Sequence, residues 1–218
     1  MTPVVSVAIL SYNRGGLLAR AVRSALSQET DGFAVEVLVI DDGSTDNTLK
    51  QIDKYSDRLQ VLRHPENYGV GYSSAEAVEM ARGDYFMRLD SDDFLSRHFL
   101  IQTMPLLVHH TNISFVTTDI QMVDEDEIPT VVQERANWDD LLNFGAGVVF
   151  RRELLVSVGN YSRELRTRED YDLLLRIKRS GAARFHLPLP LYRRRNHPGN
   201  MSLRPEHESE KERIGNAE

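Results

Sequence analysis

The chain has 218 residues, of which 41% are hydrophobic and 27% are charged, so it can bury the core of one domain. Its formal net charge of −7 disfavours nucleic acid as a partner, and the lack of cysteine excludes disulfide scaffolds, thiol catalysis and cysteine-rich zinc sites. Apolar runs are strand-sized and the first residues lack a signal-peptide pattern, so we expect a cytoplasmic protein without a transmembrane segment.

The first part of the chain alternates β-branched runs with helical apolar spacing. Strands are predicted at 4–10, 34–40, 59–62 and 85–89, and helices at 17–26, after an N-capping Ser44, and at 74–81. This order predicts an α/β fold with a Rossmann-like, mostly parallel mixed sheet flanked by helices.

The second part of the chain has a different pattern. Helices are predicted at 99–109 and 170–180, and strands at 115–118, 128–132, 147–150 and 191–195. We expect a single domain with two lobes, 1–93 and 94–203, followed by a charged C-terminal tail at 204–218 that forms a frayed helix or is disordered.

Polar side chains follow three of the predicted strands. These clusters are Ser11-Tyr12-Asn13, Asp41-Asp42 and Asp90-Ser91-Asp92-Asp93. Ligands of open α/β sheets bind at the carboxyl ends of the strands, so the clusters indicate a site there.

Asp90 and Asp92 are two residues apart at a strand end, so their carboxylates can converge on Mg²⁺ or Mn²⁺ with substrate phosphates completing the shell. A solvated acidic turn, with Asp92 or Asp93 capping the next helix, fits the same residues. The Asp42 carboxylate could accept the N3–H of uracil, or the N1–H of guanine. A tight turn with a helix cap is the alternative for that segment.

Several motifs together resemble the family 2 glycosyltransferases. The likeness begins with Val5–Asn13, Asp41–Asp46 and Leu89–Asp93. It continues through Phe150–Glu153 with Gly159–Tyr161, then Arg168–Leu173 and Tyr192–Ser202. The resemblance implies the GT-A fold and an inverting, metal-dependent enzyme that uses a nucleotide-diphosphate sugar.

The resemblance also implies roles for individual residues. Ser11, Tyr12, Asn13 and Ser91 would line the nucleoside pocket, and Asp42 would bind the base. Asp92 would be the principal ligand of Mn²⁺ or Mg²⁺, Asp90 would contact the ribose or the metal, and His197 would approach the diphosphate or metal. Asp170 would be the general base. The first lobe would bind the nucleotide-sugar, and the second would bind the acceptor and contribute the base. The expected partners are a UDP-sugar donor and a glycan, lipid-linked or protein-linked acceptor, with peripheral membrane association left open.

One departure from the family pattern concerns the diphosphate. Many relatives have an Arg-Asn pair where this chain has Ser74-Ala75. Arg193–Arg195 could supply the missing charge, or could be a solvated edge strand. Without the resemblance, Glu169 and Asp170 would also fit as stabilising charges in the first turn of a helix.

Other classes of protein remain open on the sequence. A catalytically inactive nucleotide-sugar-binding module would keep the fold without turnover. A nucleotidyltransferase would also pair carboxylates on a metal. A nicotinamide-dependent oxidoreductase would explain Gly69-Val70-Gly71, although position 74 is Ser where that fingerprint needs a third glycine.

Overall fold

The computed structural model describes residues 2–197 and residue 214. The strands are β1 (Val4–Ser11), β2 (Ala34–Asp41), β3 (Gln60–Arg63), β4 (Tyr85–Asp90), β5 (Phe94–Leu95), β6 (Phe115–Val123), β7 (Pro129–Gln133), β8 (Val148–Arg151) and β9 (Arg184–Arg195). The helices are α1 (Leu18–Leu26), α2 (Val70–Met80), α3 (Phe99–His109), α4 (Trp138–Asn143), α5 (Arg152–Ser157) and α6 (Glu169–Arg179). The predicted C-terminal tail lies outside the described residues, apart from position 214.

All nine strands belong to one mixed sheet in the order β3-β2-β1-β4-β8-β6-β9-β5, with β7 paired to β6. The first four strands along this order are parallel, as the alternation of strands and helices predicts. β8 then pairs antiparallel to β4 and connects the first half of the chain to the second. The expected α/β fold with a mixed sheet between helices is therefore confirmed.

Apolar side chains cover both faces of the sheet. In β1, Val5, Val7 and Ile9 face one side and pack with α1 and α3, whereas Ala8 and Leu10 face the other and pack with α2 and α6. Each fully buried aliphatic side chain of this kind contributes about 1.5–3 kcal/mol through removal from water. Burial on both faces explains why β1 has an almost continuous apolar sequence.

The prediction of a helix after Ser44 is wrong. Two short 3₁₀ turns, Leu49–Gln51 and Asp53–Tyr55, take its place. The Ser44 hydroxyl accepts a hydrogen bond from the backbone N–H of Asn13 at 2.9 Å instead of capping a helix. The polar residues of this segment thus connect two loops at the end of the sheet.

Other element boundaries differ because of local chain geometry. Helix α2 begins at Val70, earlier than predicted, directly after Gly69, whose φ of +98° suits glycine. β9 begins at Arg184 although Pro188 and Pro190 lie within it, and its pairing with β6 shifts register there. The sequence analysis missed β5, α4 and α5, which are all six residues or shorter.

Candidate active site

A cleft of about 640 Å³ opens where β1, β2 and β4 end. Pairing places Ser11 beside Asp41 and Leu10 beside Asp90, so the polar strand ends lie side by side. The predicted site residues that line the cleft are Ser11, Tyr12, Asp42, Asp90, Ser91, Asp92 and Asp170. Residues of segments 143–146 and 166–170 also line the cleft.

Two buried hydroxyl groups in the cleft wall lack a hydrogen-bond partner among the described residues. They belong to Ser11, at the end of β1, and Ser73, in the first turns of α2. Beside Ser11, the Tyr12 side chain is exposed and available for stacking. Because buried polar atoms are nearly always paired with protein, ligand or water, the two hydroxyls are available to polar groups that enter the cleft. Ser73 was missed by the sequence analysis, since an isolated serine in a helix has no distinctive pattern.

Asp42 is held in place by three hydrogen-bond donors. Its Oδ1 lies 2.8 Å from the Nδ1 of His64 and accepts the backbone N–H of Tyr68 at 2.9 Å. Its Oδ2 accepts the backbone N–H of Gly69 at 2.9 Å. The side chain is almost fully buried but still lines the cleft. Asp42 therefore presents a fixed carboxylate to any ligand.

The three aspartates after β4 differ in their contacts. Asp90 lies 3.4 Å from the Nε of Arg88, whereas the Oδ2 of Asp92 lies 3.0 Å from the Nε2 of His197 and 3.6 Å from the Nε of Arg14. Asp93 is buried and accepts hydrogen bonds from the Tyr192 hydroxyl and the Arg195 backbone. The helix-cap interpretation of this turn is wrong, because the residue that precedes α3 is His98 and β5 intervenes.

Negative charge is concentrated at this turn. Desolvation raises the pKa of Asp90, and the carboxylates of Asp92 and Asp170 raise it further, although Arg88 opposes them. Burial raises the pKa of Asp93 well above its ordinary value, again with help from Asp92 and Asp90. A cation bound here would relieve this repulsion.

Asp170 lies in the first turn of α6, on the opposite wall from β1. Its Oδ2 accepts the backbone N–H of Gly145 at 3.2 Å, and its Oδ1 accepts the N–H of Tyr171 at 2.8 Å. Its neighbour Glu169 is buried and binds Nη1 of Arg88. Burial raises the pKa of Glu169 to about 6, with Arg88 opposing the rise. Glu169 and Asp170 both line the cleft, and of the two only Glu169 has an ion-pair partner among residues 2–197.

Arg88 lies beside Ser74, the position where the resemblance to the family implies an arginine. Its Nη1 donates to the Ser74 hydroxyl at 3.2 Å as well as to Glu169. The guanidinium therefore reaches the cleft wall from strand β4 instead of helix α2. Arg194 also lines the cleft, and β9 lies between β6 and β5, so the edge-strand interpretation of Arg193–Arg195 is wrong.

Two predicted site residues do not line the cleft. The Asn13 side-chain oxygen accepts the backbone N–H of Thr45, which fixes the loop behind the site. His197 contacts the site through Oδ2 of Asp92. No group of three acidic or histidine side chains within residues 2–197 is arranged to hold a metal ion.

Close packing explains Gly71, the second glycine of the Gly69-Val70-Gly71 motif. A Cβ atom there would lie 2.3 Å from the Ser162 carbonyl oxygen and 2.4 Å from that of Leu165. The glycine thus allows α2 to approach segment 162–165. This contact accounts for Gly71 without a dinucleotide phosphate.

Comparison with known proteins gives one family. A model described as glycosyl transferase family 2 matches residues 6–161. The chain is 28% identical over 222 residues to a chondroitin synthase of Pasteurella multocida, covering 93% of this chain and 22% of that protein. It is 29% identical over 204 residues to the succinoglycan biosynthesis protein ExoU of Rhizobium meliloti, covering 82% of this chain and 58% of the relative.

Solved structures share the fold. TarS of S. aureus in complex with UDP-GlcNAc superposes with a TM-score of 0.82 at 21% identity, covering 96% of this chain and 64% of that one. The mannosyltransferase PcManGT of Pyrobaculum calidifontis, in complex with GDP-Man and Mn²⁺, gives 0.69 at 19% identity, with coverage of 88% and 57%. These likenesses agree with the GT-A fold. The chain spans less than two thirds of the length of each of these four proteins.

Among the described residues, no helix combines the length and the apolar character that crossing a bilayer requires.

Proposed function

The chain belongs to glycosyl transferase family 2, and we propose that it transfers a sugar from a UDP-sugar to an acceptor hydroxyl with inversion at the anomeric carbon. The observation that supports this most is the cleft itself. It brings the strand-end residues Ser11, Asp42 and Asp92 together with Asp170, which lies far away in the sequence. A nucleotide handle and an attacking hydroxyl can thus meet in one cavity.

The nucleoside would bind at the ends of β1 and β2. Asp42 is an acceptor-only group when ionised and would take the N3–H of uracil, which cytosine lacks. Tyr12 would lie against the base, and the unpaired hydroxyls of Ser11 and Ser73 would bind polar groups of the nucleotide. Structural neighbours with this fold bind UDP and UDP-GlcNAc, which supports a uridine donor.

The carboxylates at the end of β4 are suited to a divalent cation of the Mn²⁺ or Mg²⁺ kind. Oxygens of Asp90 and Asp92 would hold it, with diphosphate oxygens as further ligands, and the imidazole of His197, which is hydrogen-bonded to Asp92 here, would have to turn to join them. Burial raises the pKa of Asp90, and repulsion from Asp92 and Asp170 adds to the rise, so a cation would offset the repulsive part. When bound, the ion supplies positive charge that stabilises the leaving diphosphate.

Asp170 would act as the general base. Hydrogen bonds from Gly145 and Tyr171 orient its carboxylate, which would take the proton of the acceptor hydroxyl while that oxygen attacks the anomeric carbon. Attack on the face opposite the diphosphate inverts this centre. The cleft-lining segments 143–146 and 166–170 fall within the predicted second lobe, residues 94–203, which would receive the acceptor.

The function can be tested by measuring UDP release from a panel of UDP-sugars in the presence of Mn²⁺. The assay is run with candidate acceptors, to detect transfer, and without them, to detect hydrolysis by water. We expect Asp170→Asn to lower transfer by about 10²–10⁴-fold, because a positioned base contributes that much, while UDP affinity is kept. Asp139→Asn is the matched control, since Asp139 is exposed outside the cleft.

Three results would contradict parts of the proposal. Transfer by Asp170→Asn at the wild-type rate would show that Asp170 is not the general base. UDP binding without any turnover would favour an inactive binding module. Failure to bind UDP at all would contradict the donor class. The expected cytoplasmic location and peripheral membrane association stay predictions, which fractionation of cells would check.

A further inference from the structure

His64 lies behind the carboxylate proposed to recognise the base. It follows β3 and is almost fully buried. Its Nδ1 lies 2.8 Å from the Oδ1 of Asp42, and its Nε2 lies 2.6 Å from the Oε2 of Glu76 on α2. Neither His64 nor Glu76 lines the cleft. The imidazole therefore connects Asp42 to a second carboxylate outside the site.

An ionised carboxylate only accepts, so the bond to Oδ1 of Asp42 requires hydrogen on Nδ1 of His64. The aromatic rings of Tyr68 and Tyr72 flank His64, with centroids 5.2 and 5.6 Å away, and fix the plane of the imidazole. The orientation of Asp42 is therefore set by a rigid charge-assisted hydrogen bond.

The lone pairs of Asp42 can be counted. A carboxylate offers about four acceptor positions. Oδ1 accepts from His64 and from the backbone of Tyr68, and Oδ2 accepts from the backbone of Gly69. One position remains, on Oδ2. It is available to a ligand in the cleft that Asp42 lines.

Resting on the proposed function, we propose that His64 is a positioning residue for base selection, which holds Asp42 so that Oδ2 accepts the N3–H of uracil. Glu76 holds the far side of the imidazole. Without the bond from His64, the Asp42 carboxylate can rotate and accept elsewhere, and its discrimination between uracil and cytosine weakens. The fit of the base thus depends on a residue that does not touch the nucleotide.

Two amide substitutions separate the two sides of the imidazole. In His64→Asn, the side-chain nitrogen takes the place of Nδ1 and can still donate a hydrogen bond to Asp42. In His64→Gln, the side-chain nitrogen takes the place of Nε2 and can donate only to Glu76. Calorimetric titration of UDP and CDP, each with Mn²⁺, is done on wild type, His64→Asn and His64→Gln. His98→Gln is the control, because His98 is exposed and paired with Glu29 far from the cleft.

We expect His64→Gln to bind UDP about tenfold more weakly, the loss of one hydrogen bond to a charged group, and to bind CDP unchanged. His64→Asn should keep most of the preference for UDP over CDP. If His64 had only a structural role, His64→Gln would bind UDP and CDP more weakly by the same factor, and the ratio of the two affinities would not change.

The possible failures are distinguishable. Wild type that prefers UDP, with His64→Gln keeping that preference, would overturn the role of His64 alone. The same ratio of UDP to CDP affinity in His64→Asn and His64→Gln would also overturn the role of His64. Wild type that binds neither nucleotide would overturn the proposed function, and with it the role of His64.

Discussion

At the scale of single residues, the position of Asp170 depends on a glycine. The backbone of Gly145 donates to Oδ2 of Asp170, and the chain passes very close to that side chain. A Cβ atom at position 145 would lie 2.5 Å from this oxygen and 2.6 Å from the Asp170 Cβ. Both distances are far below van der Waals contact, so any side chain there must displace the carboxylate.

We therefore expect Gly145→Ala to lower sugar transfer by about tenfold or more, since small misplacements of a reacting group are costly, with UDP binding kept. Steady-state kinetics and UDP titration measure the two effects separately. Gly16→Ala is the control, because a Cβ there meets nothing within 4 Å. Wild-type transfer by Gly145→Ala would show that Asp170 does not need this position.

Glu169 should influence stability in a defined range of pH. Its pKa rises from the ordinary 4.5 to about 6 through burial, so the folded protein holds this proton more tightly than the unfolded chain does. The resulting stabilisation is present below pH 4.5 and is lost as the pH rises through about 6.

Urea unfolding of wild type and Glu169→Gln across this range tests the expectation. The free energy of unfolding of wild type, relative to the variant, should fall as the pH rises from 4.5 to 6. Glu79→Gln, at an exposed ion pair with Arg163, should show no such trend. A difference between wild type and Glu169→Gln that stays constant with pH would contradict the raised pKa.

At the scale of elements, Arg88 connects β4, α2 and α6. Its guanidinium contacts Asp90, Ser74 and Glu169, and it is largely buried. Removal of one partner from a buried ion pair leaves an uncompensated charge. The side chain therefore joins the acidic turn to the segment that bears Asp170.

We expect Arg88→Met to lower the free energy of unfolding by about 3 kcal/mol, and the addition of Glu169→Gln to restore part of that loss. Arg97→Met is the matched control, because its ion pair with Glu29 is exposed and such pairs contribute at most about 1 kcal/mol. Chemical denaturation measures all four proteins. A loss from Arg88→Met no larger than the control would contradict the role of Arg88.

The sequence is a good guide to elements with strong local signals. The apolar runs of β1, β2 and β4 and the spacing of α1 and α3 predict those elements to within one residue at each end. The same signals place Asp42, Asp90 and Asp92 at one edge of the sheet. Shorter elements such as α4 and β5 lack enough residues for a pattern.

Contacts between distant segments could not be predicted in the same way. Ser73 and His64 carry no local signal, because their roles depend on the cleft wall and on Asp42. Arg88 lies 14 positions from Ser74 and 81 from Glu169 in the chain. Only the folded structure shows that this strand residue stands beside the position of the missing arginine.

At the scale of the whole molecule, one sheet joins the two halves of the chain, and the cleft lies where they meet. The first half supplies the strand ends that would hold the nucleotide, and the second supplies Asp170 and Arg194. The chain spans 22% of the length of the chondroitin synthase it resembles.

Crystals soaked with UDP and Mn²⁺ test the proposed site most directly, with data collected to record the anomalous signal of manganese. We expect nucleotide density with the base between Tyr12 and Asp42, and an anomalous peak beside Asp92. Density for UDP elsewhere, or a cleft that stays empty at saturating nucleotide, would contradict a nucleotide-sugar site at the ends of β1, β2 and β4.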